Sequence, residues 1–153
     1  AAPGSTVYAE SALYERGCRA VVTAAPWAKI GLSICYDLRF PHLFRALAQA
    51  GATILTVPAA FMKITGKAHW HSLLRARAIE TGCYVVAPAQ CGNPYGTRWS
   101  YGHSLIVDPW GTVLAEAAEA EGVIYADYDP AAVTKARAAI PSLGQDRPFE
   151  LIH

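Results

Sequence analysis

VVTAAPWAKIGLSICYDLRFPHLFRALAQAG, residues 21–51, holds the pattern from which the rest of the chain is read. Two apolar runs separated by a short segment around Pro26 predict a hairpin, out through 20–22 and back through 30–34. A polar cluster follows, Tyr36-Asp37-Leu38-Arg39, and then Pro41. Proline in a first turn and Gly51 just past the last periodic residue are helix start and stop signals, so 41–50 reads as a helix. Leu43, Phe44 and Leu47 recur along it at helical spacing. A strand passing through a tight polar joint into a helix is a unit of an α/β fold, and Cys35 stands at the joint.

Reading outward, ATILTVPAAF (52–61) is a continuous apolar run of the kind covered on both faces. AHWHSLLRARAIET (68–81) predicts a second helix, with Trp70, Leu73, Leu74, Arg77 and Ala78 along one side and Gly82 as its stop. CYVVAPAQC (83–91) is a further buried strand, followed by a polar loop rich in Gly, Asn and Pro. HSLIVDPWGTVLAEA (103–117) predicts two strands joined by Asp108-Pro109-Trp110-Gly111. VIYADYD (123–129) reads as a strand, and 130–140 as a helix that begins at Pro130. Strands and helices interleave through one core, which makes the chain α/β. No repeat, low-complexity segment or linker divides residues 1–153, and the last dozen residues read as an extended tail.

Of 153 residues, 53% are apolar and 16% charged, the latter well below the usual quarter or so. Disorder is excluded by that balance. It also implies more apolar surface than one small domain covers, as a missing segment or a subunit interface would explain. The net charge of +1 comes without any basic run, which argues against nucleic acid as a partner. No apolar stretch reaches membrane-spanning length, and the opening AAPGSTVYAES lacks the basic and apolar regions of a signal peptide.

The four cysteines, Cys18, Cys35, Cys83 and Cys91, match no zinc or CxxC spacing, and reduced thiols in a cytoplasmic chain are expected. Cys35 is the outstanding candidate for chemistry. Between a strand end and a helix start, backbone N–H groups and the positive end of the turn favour a thiolate. The N–H of Tyr36 is placed to face an oxyanion developing on an attacked carbonyl. A buried core thiol is the alternative reading of the same position. Cys18 and Cys83 read as core or incidental; Cys91 ends a strand and is expected near the site.

A nucleophilic cysteine needs a base and a charge-stabilising partner. His42, His69, His71, His103 and His153 stand in no recognised arrangement with Cys35. His69 and His71, two apart, face different ways on a helix, which disfavours a metal pair. His103, which follows SYG at a strand start, is a candidate to reach the site. Glu10 and Glu80 are the remaining bases, though Glu80 beside Arg75 and Arg77 reads first as part of an ion-pair network. Asp37 and Arg39 are expected to be buried ion-pair partners that hold the joint.

With these residues identified, the chain resembles the nitrilase-like carbon–nitrogen hydrolases. The likeness begins at Tyr8-Ala9-Glu10-Ser11 and runs to Asp146-Arg147-Pro148-Phe149. Its most specific element is Gly31-Leu32-Ser33-Ile34-Cys35-Tyr36-Asp37-Leu38-Arg39-Phe40-Pro41. Pro58-Ala59-Ala60-Phe61, Thr65-Gly66-Lys67-Ala68-His69-Trp70, Leu74-Arg75-Ala76-Arg77-Ala78-Ile79-Glu80, Tyr101-Gly102-His103-Ser104 and Asp108-Pro109-Trp110-Gly111 complete the set.

The resemblance implies a four-layer α–β–β–α sandwich of which 1–153 is the C-terminal portion, and a Glu–Lys–Cys triad. Cys35 is then the nucleophile, Tyr36 N–H an oxyanion donor, and Glu10 the second glutamate. Phe61 and His103 become pocket candidates, while Asp37, Arg39, Arg77 and Glu80 give structural support. The triad Glu and Lys belong upstream of Tyr8, and none of Lys29, Lys63, Lys67 or Lys135 has the family lysine's context. The implied reaction cleaves a small carboxylate-bearing amide to acid and ammonia through a thioester. The branch resembled most hydrolyses deaminated glutathione, with ω-amidases and N-carbamoyl hydrolases as alternatives. A non-catalytic scaffold that lacks the Glu and Lys is the alternative of another class. His71 departs from the glutamate common at that position in the branch. No metal or organic cofactor is implied. A homodimer or larger homo-oligomer is, with the 68–81 helix and the tail at its interface.

Overall fold

The computed structural model describes residues 14–93, 96 and 98–152. Strands β1 (Val21–Ala24) and β2 (Lys29–Leu32) form the expected antiparallel hairpin. A 3₁₀ turn over Cys35–Arg39 leads into α1 (Pro41–Gln49), and β3 (Ile54–Thr56) follows. Next come α2 (Lys63–Thr81), β4 (Tyr84–Ala87), and the short β5 (Cys91–Gly92) and β6 (Ser100–Tyr101). β7 (Leu105–Val107), β8 (Val113–Glu116) and α3 (Pro130–Ala139) complete the order. Six strands make one sheet in the order β1-β2-β3-β4-β7-β8, and β5 pairs with β6 separately.

β2, β3 and β4 run parallel, and β7 and β8 add antiparallel strands at the edge. The strand order advances one way through the two crossovers, so right-handed connections put α1 and α2 on the same face. Gly31, Leu55, Val85 and Val107 share one register row. With Leu47, Phe44, Trp70 and Leu74 from the helices, the last three side chains of that row build the main core, all at 1% exposure or less. Gly31 is required here: a Cβ would lie 2.9 Å from Leu55 Cδ2 and 3.0 Å from Leu47 Cβ, so only glycine lets α1 settle this close.

The opposite face is different. Ile30, Thr56, Val86 and Ile106 are only partly buried, and Leu32 and Leu114 are more than two-fifths exposed. Among the described residues, α3 and the segment before it reach this face at one end, with Val133 against Ile54 and Tyr84 and Tyr128 packed beside them. The described chain thus supplies one helix-and-sheet half of an α–β–β–α arrangement, with an apolar sheet face left open.

Three expectations need correction. First, α2 begins at Lys63 rather than at 68, because Gly66 is not a breaker. It lies under Tyr101, where a Cβ would meet Tyr101 Cβ at 2.4 Å. Gly66→Ala should therefore destabilise by about 1–3 kcal/mol through overpacking. That outcome opposes the roughly 1 kcal/mol gain that helix propensity alone favours. A urea midpoint at or above wild type would contradict it. Second, the loop after β4 contains the β5/β6 pair. Third, 123–129 forms no strand: Val123 and Tyr125 are 74% and 82% exposed, and no neighbouring strand among the described residues offers a ladder. Tyr128 instead donates its hydroxyl to Thr53 Oγ1 at 2.9 Å and meets the edges of the Trp27 and Tyr84 rings.

The tail is tethered where it leaves the fold. Arg45 pairs with Asp146, and Gln49 Nε2 donates to Asp146 Oδ2 at 2.8 Å. These hydrogen bonds hold the exposed Asp146 carboxyl below its usual range. A depressed folded pKa contributes stability that is present above the ordinary Asp range and lost as pH falls through the folded value. Proteolysis of the tail should accordingly accelerate at acid pH, and Asp146→Asn should show the fast rate already at neutral pH. Equal rates for both proteins at pH 7 would show that the tether does not hold the tail.

Candidate active site

In a parallel sheet the carboxyl ends of the strands open onto one edge, and ligand sites gather there. Here that edge is knitted by backbone. Ser33 N–H and Oγ donate to Thr56 O, Cys35 N–H to Pro58 O at 2.9 Å, and Ala59 N–H to Pro88 O at 3.0 Å. Ala89 N–H donates to Ser104 Oγ at 2.9 Å. The segments leaving β2, β3 and β4 and entering β7 are therefore fixed side by side, with Cys35 at one end of the row.

Cys35 has φ +47°, one of two non-glycine residues described with a positive value; the other is His103 at +58°. Such backbone is costly for a side-chain-bearing residue and is retained where surrounding structure enforces it. The enforcement is local. Asp37 Oδ2 accepts the N–H of Ile34 at 2.9 Å, Asp37 N–H returns to Ile34 O, and Cys35 N–H is held by Pro58. The half-buried thiol is thus presented from a sharp strand-to-helix elbow. Tyr36 N–H lies in the first turn, where a helix leaves amides without intrahelical acceptors.

From below, Arg77 holds the elbow. Its Nε and Nη2 both donate to Leu38 O, at 3.1 and 2.7 Å, and Nη1 donates to Glu80 Oε1 at 2.9 Å. Arg77 is 5% exposed and its guanidinium lies 5.3 Å from the Phe44 ring centroid. Asp37 and Arg39 depart from the expected role: both are only half-buried, and neither makes an ion pair among the described residues. Asp37 spends its carboxylate on the Ile34 amide. Arg39 sits over the Tyr36 and Phe61 rings, and its Nη1 lies 3.3 Å from His69 Nδ1. Phe61 itself is buried against Trp70, with centroids 4.8 Å apart, so it backs the wall that Arg39 faces.

His103 follows Gly102 into β7. Trp70 Nε1 donates to His103 O at 2.7 Å, and the imidazole stacks on Tyr101 with centroids 4.2 Å apart. Its Nδ1 lies 2.7 Å from Glu116 Oε1, and His71 Nε2 lies 3.1 Å from the same oxygen. Slight burial raises the Glu116 pKa, but hydrogen bonds from His103 and His71 outweigh it and bring the carboxyl below its usual range. An ionised carboxylate only accepts, so the ring nitrogens facing Glu116 are the donors. Sequence reading missed this group: Glu116 is one polar residue in an alternating strand, and nothing in its spacing joins it to His71.

Other candidates lie apart. Burial raises the Cys83 pKa despite the nearby Thr81 and Arg137, which makes it a neutral core thiol. Lys63 Nζ pairs with Glu119 Oε2 at 2.7 Å. Glu10 and His153 lie outside the described residues. A cavity lined by Ile79, Trp110, Arg137 and Leu143 involves the end of α2 near Gly82, away from the row of strand ends that carries Cys35.

Residues 2–138 match the carbon–nitrogen hydrolase family. The human deaminated glutathione amidase is 57% identical over 125 residues, which are 82% of this chain and 38% of that protein. The deaminated glutathione amidase of Synechocystis is 48% identical over 149 residues, covering 96% of this chain and 54% of that one. The crystal structure of the C. elegans NitFhit protein superposes with a TM-score of 0.88 at 44% identity, over 95% of this chain and 35% of that chain. The chain thus spans about half, or less, of the length of these relatives.

Proposed function

The chain belongs to the carbon–nitrogen hydrolase family, and from that premise we propose that Cys35 is the nucleophile of an amidase acting on small carboxylate-bearing amides. The observation that carries this reading is the elbow, which presents a cysteine at φ +47° on the carboxyl edge of the parallel strands, followed at once by the Tyr36 amide. Names of relatives at 48–57% identity favour deaminated glutathione as the first substrate to try.

Residues 1–153 act, on this reading, as the C-terminal portion of a single larger domain. The open apolar sheet face and the share of each relative that is matched support it. The remaining portion covers that face and brings the general-base glutamate and the lysine. The base takes the Cys35 proton, and the sulfur attacks the amide carbon. The oxyanion is met by the lysine ammonium and Tyr36 N–H. The glutamic acid gives that proton to the departing nitrogen as the adduct collapses, so ammonia leaves and a thioester remains. The same glutamate then takes a proton from water, whose attack releases the acid, and returns it to the sulfur to restore the thiol. Glu10 serves as the second glutamate and orients the lysine or substrate, while Arg77 and Glu80 position the elbow. His103 lines the pocket, backed by Phe61.

The enzyme works as a homo-oligomer in the cytoplasm, with α2 and the tail at the interface. Exposed Ile79, Trp110, Ile140 and Phe149 support that surface. Product analysis tests the chemistry. Incubation of the complete protein with deaminated glutathione, α-ketoglutaramate and an N-carbamoyl amide should release ammonia without carbon dioxide. Carbon dioxide would point to the N-carbamoyl class instead, and no product from any of them would favour a non-catalytic scaffold.

A further inference from the structure

We propose that His71, His103 and Glu116 form a binding site for a divalent transition-metal ion of the zinc type. The inference uses no step of the amidase reading, although it takes His103, which that reading places in the pocket lining. The ligand atoms are His71 Nε2, His103 Nδ1 and a Glu116 carboxylate oxygen, and all lie within 4.8 Å of one another. Zinc bonds of about 2.0–2.1 Å in tetrahedral geometry separate ligand atoms by roughly 3.3 Å. The two imidazole–carboxylate distances, 3.1 and 2.7 Å, are already close to that spacing. Small rotations of three partly exposed side chains suffice for the rest.

The three residues come from α2, the segment entering β7, and the end of β8, and two of them are held in place. His103 is fixed by its stacking on Tyr101 and by the Trp70 hydrogen bond to its carbonyl. Glu116 is fixed by its strand register opposite Leu105. His71 follows Trp70, whose side chain is fully buried, so its place on the helix does not drift. Side-chain exposures of 34%, 22% and 39% leave room for an ion to enter and for a water as fourth ligand.

Two imidazoles and one carboxylate select zinc, cobalt or nickel over magnesium and calcium, which prefer all-oxygen shells. When bound, each ring carries its proton on the outward nitrogen, and the ion replaces the two N–H donors around Glu116. The ion then ties α2 to β7 and β8 at one point.

The test uses the complete protein in a Cys18→Ser/Cys35→Ser/Cys91→Ser background, so that thiolates do not compete. Titration with Zn²⁺ against a chromophoric chelator should give one ion per chain. Affinity should drop at least 30-fold in Glu116→Gln and in His71→Gln, which keeps a donor toward Glu116 and hence the local packing. Circular dichroism confirms that both variants are folded. Co²⁺ in the same background should give visible d–d absorption that the variants lose. Zinc that fails to bind in this background, or binds equally well to both folded variants, overturns the proposal.

Discussion

On the proposed thioester route, Cys35→Ala in the complete protein should reduce ammonia release on the order of 10⁴-fold or more, because the attacking sulfur is gone. The thiol packs only partly against the core, so stability should change by less than about 1 kcal/mol. Alanine keeps the cost of the positive φ, and the hydrogen bonds from Cys35 N–H, Ile34 N–H and Asp37 N–H do not involve the Cys35 side chain and survive. The paired measurement is turnover by single-substrate kinetics and stability by urea unfolding. Turnover that persists in a folded Cys35→Ala protein removes this residue as the nucleophile. Substrate should still bind the variant, and binding without turnover separates a lost reaction from a lost pocket.

Arg77→Ala should cost stability and turnover together. Two charged-donor hydrogen bonds converge on Leu38 O, and a third joins Glu80. Removing the guanidinium strands a buried carbonyl and opens the space beside Phe44. The expected loss is about 2–4 kcal/mol. Because Leu38 lies in the turn that follows Cys35, the thiol should also lose its alignment, lowering kcat on the order of 10- to 100-fold. Arg77→Lys separates the two effects: one ammonium restores charge but cannot span Leu38 O and Glu80 together. It should recover part of the stability and little of kcat. A kcat equal to wild type in a folded Arg77→Ala protein would show that the clamp holds the core without positioning the nucleophile.

Local signals made much of this legible. Pro41 and Gly51 bracket α1, and Gly82 ends α2 in a left-handed C-cap at φ +59°. Cys35 was locatable because strand, polar joint and helix follow one another without a gap. Reading failed where tertiary contacts overrule local preference. Gly66 looks like a breaker but serves a close approach to Tyr101. The alternation at 123–129 is strand-like, yet a strand needs a neighbour. The His71–Glu116–His103 group is assembled from three elements, and no spacing along the chain encodes such a meeting. Asp37 shows the same limit on a smaller scale. Its charge suggests an ion pair, but the nearest unmet donor was a backbone amide three residues back.

The left-handed backbone at Cys35 also bears on how this lineage can decay. Glycine adopts φ +47° without penalty, and asparagine nearly so. Selection for foldability alone therefore pulls position 35 away from cysteine, and on the proposed reading selection for turnover holds it there. In descendants that have abandoned the reaction, this codon should be among the early ones to change, with glycine the favoured replacement. On the proposed reading, a cysteine kept at this site over long divergence is a record of continuous use.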